Sequence, residues 1–116
     1  MVEADPLVSA VLTDVLNAVG YEVTTTDSAF GAVALACQVG PCAVLLDLEL
    51  PLRPGAALLS QLKSDPRTAQ VPVIVVSALA EALTDERRAL AEFVIAKPLD
   101  LARLLEGLQA ISAKDL

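Results

Sequence analysis

Two short runs constrain this chain more than any other feature in it. Residues 43–48 (AVLLDL) and 71–76 (VPVIVV) are almost continuously apolar, and turn-forming residues bound each of them. A run that short and that apolar fits a strand covered on both faces. Strands covered on both faces belong to parallel sheets, whose crossover connections lay helices over the sheet.

The rest of the chain supplies those helices. Asp5-Pro6 opens the first, with Asp5 as N-cap and Pro6 at the first helical position. Leu7, Val8, Val11, Leu12, Val15, Leu16 and Val19 follow at helical spacing, and Gly20 stops them. Asp27 or Ser28 caps a second helix over 29–39, and Gly40-Pro41 ends it. A third helix is expected over 56–62. A fourth is expected over 79–91, restarting at Thr84. Asp100 caps a last helix whose stripe is Leu101, Leu104, Leu105, Leu108 and Ile111. Three further strands are expected: a very short one at 2–4, one at 21–26 rich in Thr and Val, and one at 93–96.

Strand and helix therefore alternate from end to end, as one domain over 1–116. Five such units are too few for an eightfold barrel. An open, doubly wound, five-stranded parallel sheet remains, with helices on both faces and the flavodoxin-like order 2-1-3-4-5.

Charge narrows the partners. Eight Lys and Arg stand against 15 Asp and Glu, a net charge of −7. Phosphate backbones and anionic lipid repel such a surface, so neither nucleic acid nor membrane is an expected partner. The chain has no His, and Cys37 and Cys42 do not form a CxxC pair. Zinc sites of the Cys/His type and histidine bases are thereby excluded. The cysteines read as small buried apolar residues kept as thiols, and with no apolar run of about 18 residues the expected location is the cytoplasm.

In an open sheet of this kind the site lies beyond the C-terminal ends of the strands, where the strand order reverses. The sequence places Glu3, Asp47, Ser77 and Lys97 at those ends. Two acids, a hydroxyl and an ammonium are what phosphoryl transfer to a carboxylate requires: a nucleophile, a cation site, and donors for the phosphoryl oxygens. Asp47 interrupts an apolar run, which is costly for a carboxylate without a partner. The plainer reading of Asp47 and Lys97 is a structural ion pair, and that of Ser77 is a helix cap.

The ordered set EADP (3–6), LLDLELPLRPG (45–55), VVSA (75–78) and AKP (96–98) resembles a bacterial response-regulator receiver domain of the chemotaxis-regulator kind. The resemblance implies a signalling protein, not an enzyme beyond catalysing its own phosphorylation and dephosphorylation. Asp47 is then the phosphoacceptor, loaded by a sensor histidine kinase or a phosphotransfer protein. Ser77, Ala78 and Lys97 bind the phosphoryl group and switch with it. Glu3, Asp47 and the backbone carbonyl of Glu49 hold Mg2+, and Glu49 and Leu79 tune phosphoryl lifetime. Lys97-Pro98 is often cis in relatives. Output goes to a downstream protein, or through a homodimer, by way of the fourth and fifth strand–helix pairs.

Two positions and one interval depart from the family pattern. Ala4 stands where the second acid of the metal-binding pair belongs, which weakens the implied Mg2+ site and leaves Asp5 as the nearest substitute. Val94 stands where the switch aromatic belongs, with Phe93 one place earlier, so either the aromatic is lost or the strand has slipped by one residue. The Ser77–Lys97 interval is slightly short. Ala4 and Val94 favour the alternative of a phosphorylation-independent pseudo-receiver, an interaction or dimerisation module. A flavodoxin-like cofactor enzyme is the weakest reading, because Asp5-Pro6 opens the first helix without a glycine-rich phosphate loop. Arg53, Arg87 and Arg88 read as solvated surface.

Overall fold

The computed structural model of the chain describes residues 1–50, 55–78, 83–97 and 100–114. In chain order its elements are α1 (Pro6–Ala18), α2 (Ala32–Val39), β1 (Val44–Leu46), α3 (Gly55–Ser64), β2 (Val73–Ser77), α4 (Asp85–Arg88), β3 (Phe93–Ala96) and α5 (Leu101–Lys114). β1, β2 and β3 are the expected third, fourth and fifth strands. They pair in parallel, Leu45 opposite Ile74 and Val75 opposite Val94.

The expected five-strand order survives in reduced form. Val2 makes single parallel bridges to Leu46 on one side and to Thr26 on the other. Across the sheet the sequence of segments is thus Thr26, Val2, β1, β2, β3, which is the order 2-1-3-4-5. The first two expected strands shrink to these bridges. Segment 21–26 alternates in burial only as far as Thr24, whose carbonyl accepts from the terminal ammonium of Met1 at 2.7 Å. A strand without a run of residues opposite it cannot extend its ladder.

The strands alternate their side chains between two cores, one per face. Leu45, Ile74, Val76 and Ile95 join Leu12 and Leu16 of α1 and Leu104, Leu108 and Ile111 of α5. Val2, Leu46, Val73 and Val75 join Ala32 of α2 and Leu58, Leu59 and Leu62 of α3 on the other face. That two-sided cover is why β1 and β2 are apolar at nearly every position.

Local chemistry sets the helix ends. Asp5 caps α1 as expected, its Oδ1 accepting from the Leu7 N–H at 2.9 Å. Asp100 caps α5 in the same way, through the Ala102 N–H at 3.0 Å. Thr84 caps α4 through the Arg87 N–H at 3.2 Å, so the expected restart occurs. α4 is only four residues long, and positions 79–82 of the expected fourth helix lie outside the described residues. α2 begins later than expected. Ser28 caps only a turn, and Gly31, at φ +76°, is the true N-cap. That left-handed backbone breaks the helical path before Ala32 and favours glycine.

Cys42 is exposed, against the expectation of burial, and Cys37 is half-buried; both are free thiols. Among the described residues no helix is long and apolar enough to cross a membrane.

Candidate functional site

Parallel strands deliver their C-terminal ends to one edge of the sheet. Glu3 follows Val2, Asp47 follows β1, Ser77 ends β2, and Lys97 follows β3. Ladder hydrogen bonds pin this backbone: Asp47 N–H donates to the Val2 carbonyl at 2.9 Å, and Lys97 N–H to the Ser77 carbonyl at 3.1 Å. Position is therefore set by the sheet, and the side chains beyond it are what vary.

Glu3, Asp47 and Ser77 are all buried, at 5, 4 and 0% exposure. Lys97 reaches over two of them. Its ammonium donates to Glu3 Oε2 and to Asp47 Oδ2, each at 3.3 Å. The remaining oxygens are held by backbone. Asp5 N–H donates to Glu3 Oε1 at 3.1 Å, and Glu49 N–H to Asp47 Oδ1 at 3.0 Å. All four expected strand-end residues thus converge, and Asp47 and Lys97 form an ion pair as well.

One ammonium against two buried acids leaves the cluster short of positive charge. Burial pushes the Glu3 carboxyl above its ordinary value, and hydrogen bonding and repulsion from Asp47 push the same way, outweighing the Asp5 N–H and Lys97. Burial pulls the Lys97 ammonium down, but attraction to Asp47 and Glu3 prevails and its pKa is raised. The folded protein therefore holds the Glu3 proton more tightly than the unfolded chain. That stabilisation is complete below about pH 4.5 and is lost as pH rises through the folded pKa. Glu3→Gln should remove the loss. Its thermal midpoint in metal-free buffer, measured against the parent chain, should gain a few degrees between about pH 4 and about pH 7. A difference that stays constant over that range would contradict this account of the cluster.

The other expected residues divide. Ala78 stands at the site with Ser77. Glu49 is exposed, yet its Oε1 accepts from Ser77 Oγ at 3.3 Å and from Ala78 N–H at 3.1 Å. Leu79, Arg53 and the Lys97-Pro98 bond lie outside the described residues. Ala4 packs against the α2–α3 core and brings no oxygen. Asp5 does not replace it, because its carboxylate is spent on the α1 cap. The two readings of Phe93 and Val94 also separate. Phe93 lies on the α5 face, where a Cβ built at Gly107 would come within 3.2 Å of its ring. Val94 packs on the opposite, α2–α3 side. The aromatic is absent there, and no slip has carried Phe93 to it.

Gly55 closes the family-like run 45–55 in the sequence, but only the structure shows what it touches. A Cβ built at Gly55 would lie 2.5 Å from Leu48 Cα and closer still to the Asp47 carbonyl oxygen. Its N–H donates to the Leu48 carbonyl at 3.1 Å. The start of α3 therefore lies directly against the backbone that carries Asp47, a close approach only glycine permits. The signal available in the sequence was a glycine eight residues after a lone strand-end Asp.

A cation would relieve the crowding. Among the described residues no group of three or more His, Cys, Asp or Glu forms a metal cage. What the structure brings together is two buried carboxylates, Glu3 and Asp47, both hard oxygen donors. Magnesium is commonly held by one or two carboxylates with water completing the shell, so the donor set fits that ion.

Comparison with known proteins agrees with this geometry. The family model for the response regulator receiver domain matches residues 1–109. The polar-differentiation response regulator DivK of Brucella ovis is 32% identical over 112 residues, which cover 95% of this chain and 91% of DivK. The DNA-binding dual master transcriptional regulator RpaA of Synechocystis sp. is 30% identical over 114 residues. There the match covers 96% of this chain but only 47% of the relative, so the chain spans about half of that regulator. Among solved structures, the receiver domain of a sensor histidine kinase from Pseudomonas aeruginosa PAO1 superposes with a TM-score of 0.82 at 29% identity, covering 96% of this chain and 93% of that one. That structure holds a magnesium ion coordinated in its active-site cleft.

Proposed function

The chain belongs to the response regulator receiver domain family, and from that premise we propose that it receives a phosphoryl group on Asp47. The observation that carries the reading is one carboxylate, 4% exposed, with Lys97 at 3.3 Å and the Ser77 hydroxyl and Ala78 N–H at the neighbouring strand end.

An Asp47 oxygen attacks the phosphorus of a phosphohistidine. An O–P bond forms, the P–N bond breaks and its electron pair returns to the ring nitrogen; with a proton on the other ring nitrogen of the phosphohistidine, the imidazole leaves neutral. The carboxylate, of charge −1, becomes an acyl phosphate of charge close to −2. Lys97 stays bound to this growing charge, and its raised pKa keeps it protonated at neutral pH. Ser77 Oγ and Ala78 N–H are the donors for the new oxygens. Glu3, Asp47 and the Glu49 carbonyl would hold Mg2+, which offsets the charge brought together when the phosphoryl donor meets the carboxylates. With Ala4 in place of a second acid, that affinity is expected to be weak.

The donors in this reading are a sensor histidine kinase or a phosphotransfer protein, and the compartment is the cytoplasm. Movement of Ser77 and the segment after it toward the phosphoryl group shifts an equilibrium between two conformations. Output then passes to a protein, or to a second copy of the chain, through the β2–α4–β3–α5 face. Ala4 and Val94 support a second reading, a module that binds its partner without phosphorylation.

Intact mass after incubation with acetyl phosphate separates the two. One phosphoryl adduct is expected, dependent on Mg2+ and absent from Asp47→Asn. A folded protein that gains no adduct at any Mg2+ or Mn2+ level would overturn phosphorylation in favour of the second reading.

A further inference from the structure

Glu49 makes a contact that neither the metal site nor the acyl transfer uses. A single carboxylate oxygen, Oε1, accepts from both Ser77 Oγ and Ala78 N–H, at 3.3 and 3.1 Å. Those are the two donors assigned above to the phosphoryl oxygens. The donors lie 28 and 29 residues away along the chain, so the contact is made by the sheet and not by a local turn. The backbone N–H of the same residue holds Asp47 Oδ1 at 3.0 Å, which fixes where the side chain starts from.

We propose that the Glu49 carboxylate is the resting occupant of the phosphoryl-oxygen subsite, a built-in competitor that must leave before an aspartyl phosphate can be held. The proposal rests on the receiver reading and adds to it a residue that sets how readily the site loads.

The chemistry of the contact supports this. A carboxylate oxygen is an anionic acceptor, as a phosphoryl oxygen is, and it suits the same hydroxyl and N–H donors. Both anions cannot take the two donors at once. Glu49 is an exposed residue, so its side chain has a path into solvent. Its departure forfeits two charge-assisted hydrogen bonds and regains rotamer freedom. The hydrogen bonds are the larger effect, so the resting contact opposes loading. Retained beside the product, the same carboxylate would also repel an acyl phosphate.

Beryllofluoride affinity in the presence of Mg2+ tests the proposal, read from the Ala78 amide resonance in the parent chain, Glu49→Ala and Glu49→Gln. Both variants keep the Glu49 carbonyl for the metal. Glu49→Ala is expected to bind beryllofluoride about tenfold more tightly than the parent, the net of two hydrogen bonds no longer displaced and the rotamer freedom that their loss would have returned. Glu49→Gln, which loses the charge but keeps an acceptor, should fall between them. Without beryllofluoride, Glu49→Ala should shift the Ala78 amide more than Glu49→Gln does. Equal gains in the two variants would overturn the proposal, since charge repulsion alone would then explain both. Binding in the parent chain with no gain in either variant would overturn it and leave the receiver reading standing. Failure of all three to bind would overturn the receiver reading and this one together.

Discussion

Lys97→Ala should melt about 10 °C below the parent chain at neutral pH, the equivalent of about 2–3 kcal/mol in a chain of this size. The lysine is the only cation bonded to Glu3 and Asp47 among the described residues, and both acids are nearly out of water. Removing one partner of a buried ion pair is expensive because the other charge is left without compensation. The effect is placed below the roughly 3–5 kcal/mol of a fully buried pair because the lysine side chain keeps 21% of its own exposure. The deficit should shrink as pH falls, since protonated carboxyls no longer need the ammonium. Calorimetry of the two proteins at neutral and acidic pH checks this. Equal midpoints at neutral pH would mean that water or a bound cation already neutralises the pair. Where Lys97→Ala does fold, its yield of acetyl-phosphate adduct should also fall, because the acceptor loses its fixed positive charge.

Gly55→Ala is the second large effect, with an expected cost of about 2–3 kcal/mol. The new methyl group would meet the Asp47 carbonyl and Leu48 Cα, both backbone atoms that cannot turn aside as a side chain would. Either α3 withdraws from the sheet or the strand end carrying Asp47 shifts. The variant should therefore lose both urea resistance and phosphoryl uptake, although it alters no polar group. A Gly55→Ala protein as stable and as readily labelled as the parent would show that the two backbones do not approach so closely in solution.

Much of the fold was legible before any coordinates. Asp5-Pro6 announced α1, and Asp100 announced α5, because a cap satisfies N–H groups two or three residues away. The apolar runs around Leu45 and Ile74 announced β1 and β2, because a strand covered on both faces has no polar position to spare. The segment at 21–26 keeps its place in the sheet order but not its expected length. Its aromatic and β-branched content is that of a strand, but a strand is completed by its neighbour, and among the described residues only Thr26 of this segment is bridged. The start of α2 misled for a local reason, the left-handed turn at Gly31.

The site divides along the same line. Residue type and strand-end position were enough to select Glu3, Asp47, Ser77 and Lys97, because a polar residue closing an apolar run falls on the sheet edge. Which of them touch was a matter for the tertiary structure. Lys97 bonds to partners 94 and 50 residues away, Glu49 reaches across to Ser77, and Gly55 lies against Asp47. Phe93 and Val94 were likewise assigned to faces only once β3 was in register with β2. Periodicity and capping act over one helical turn or one strand and are written in adjacent residues. The distances among the carboxylates, the ammonium and the hydroxyl depend on strand order and helix packing, which bring together side chains that no local pattern connects.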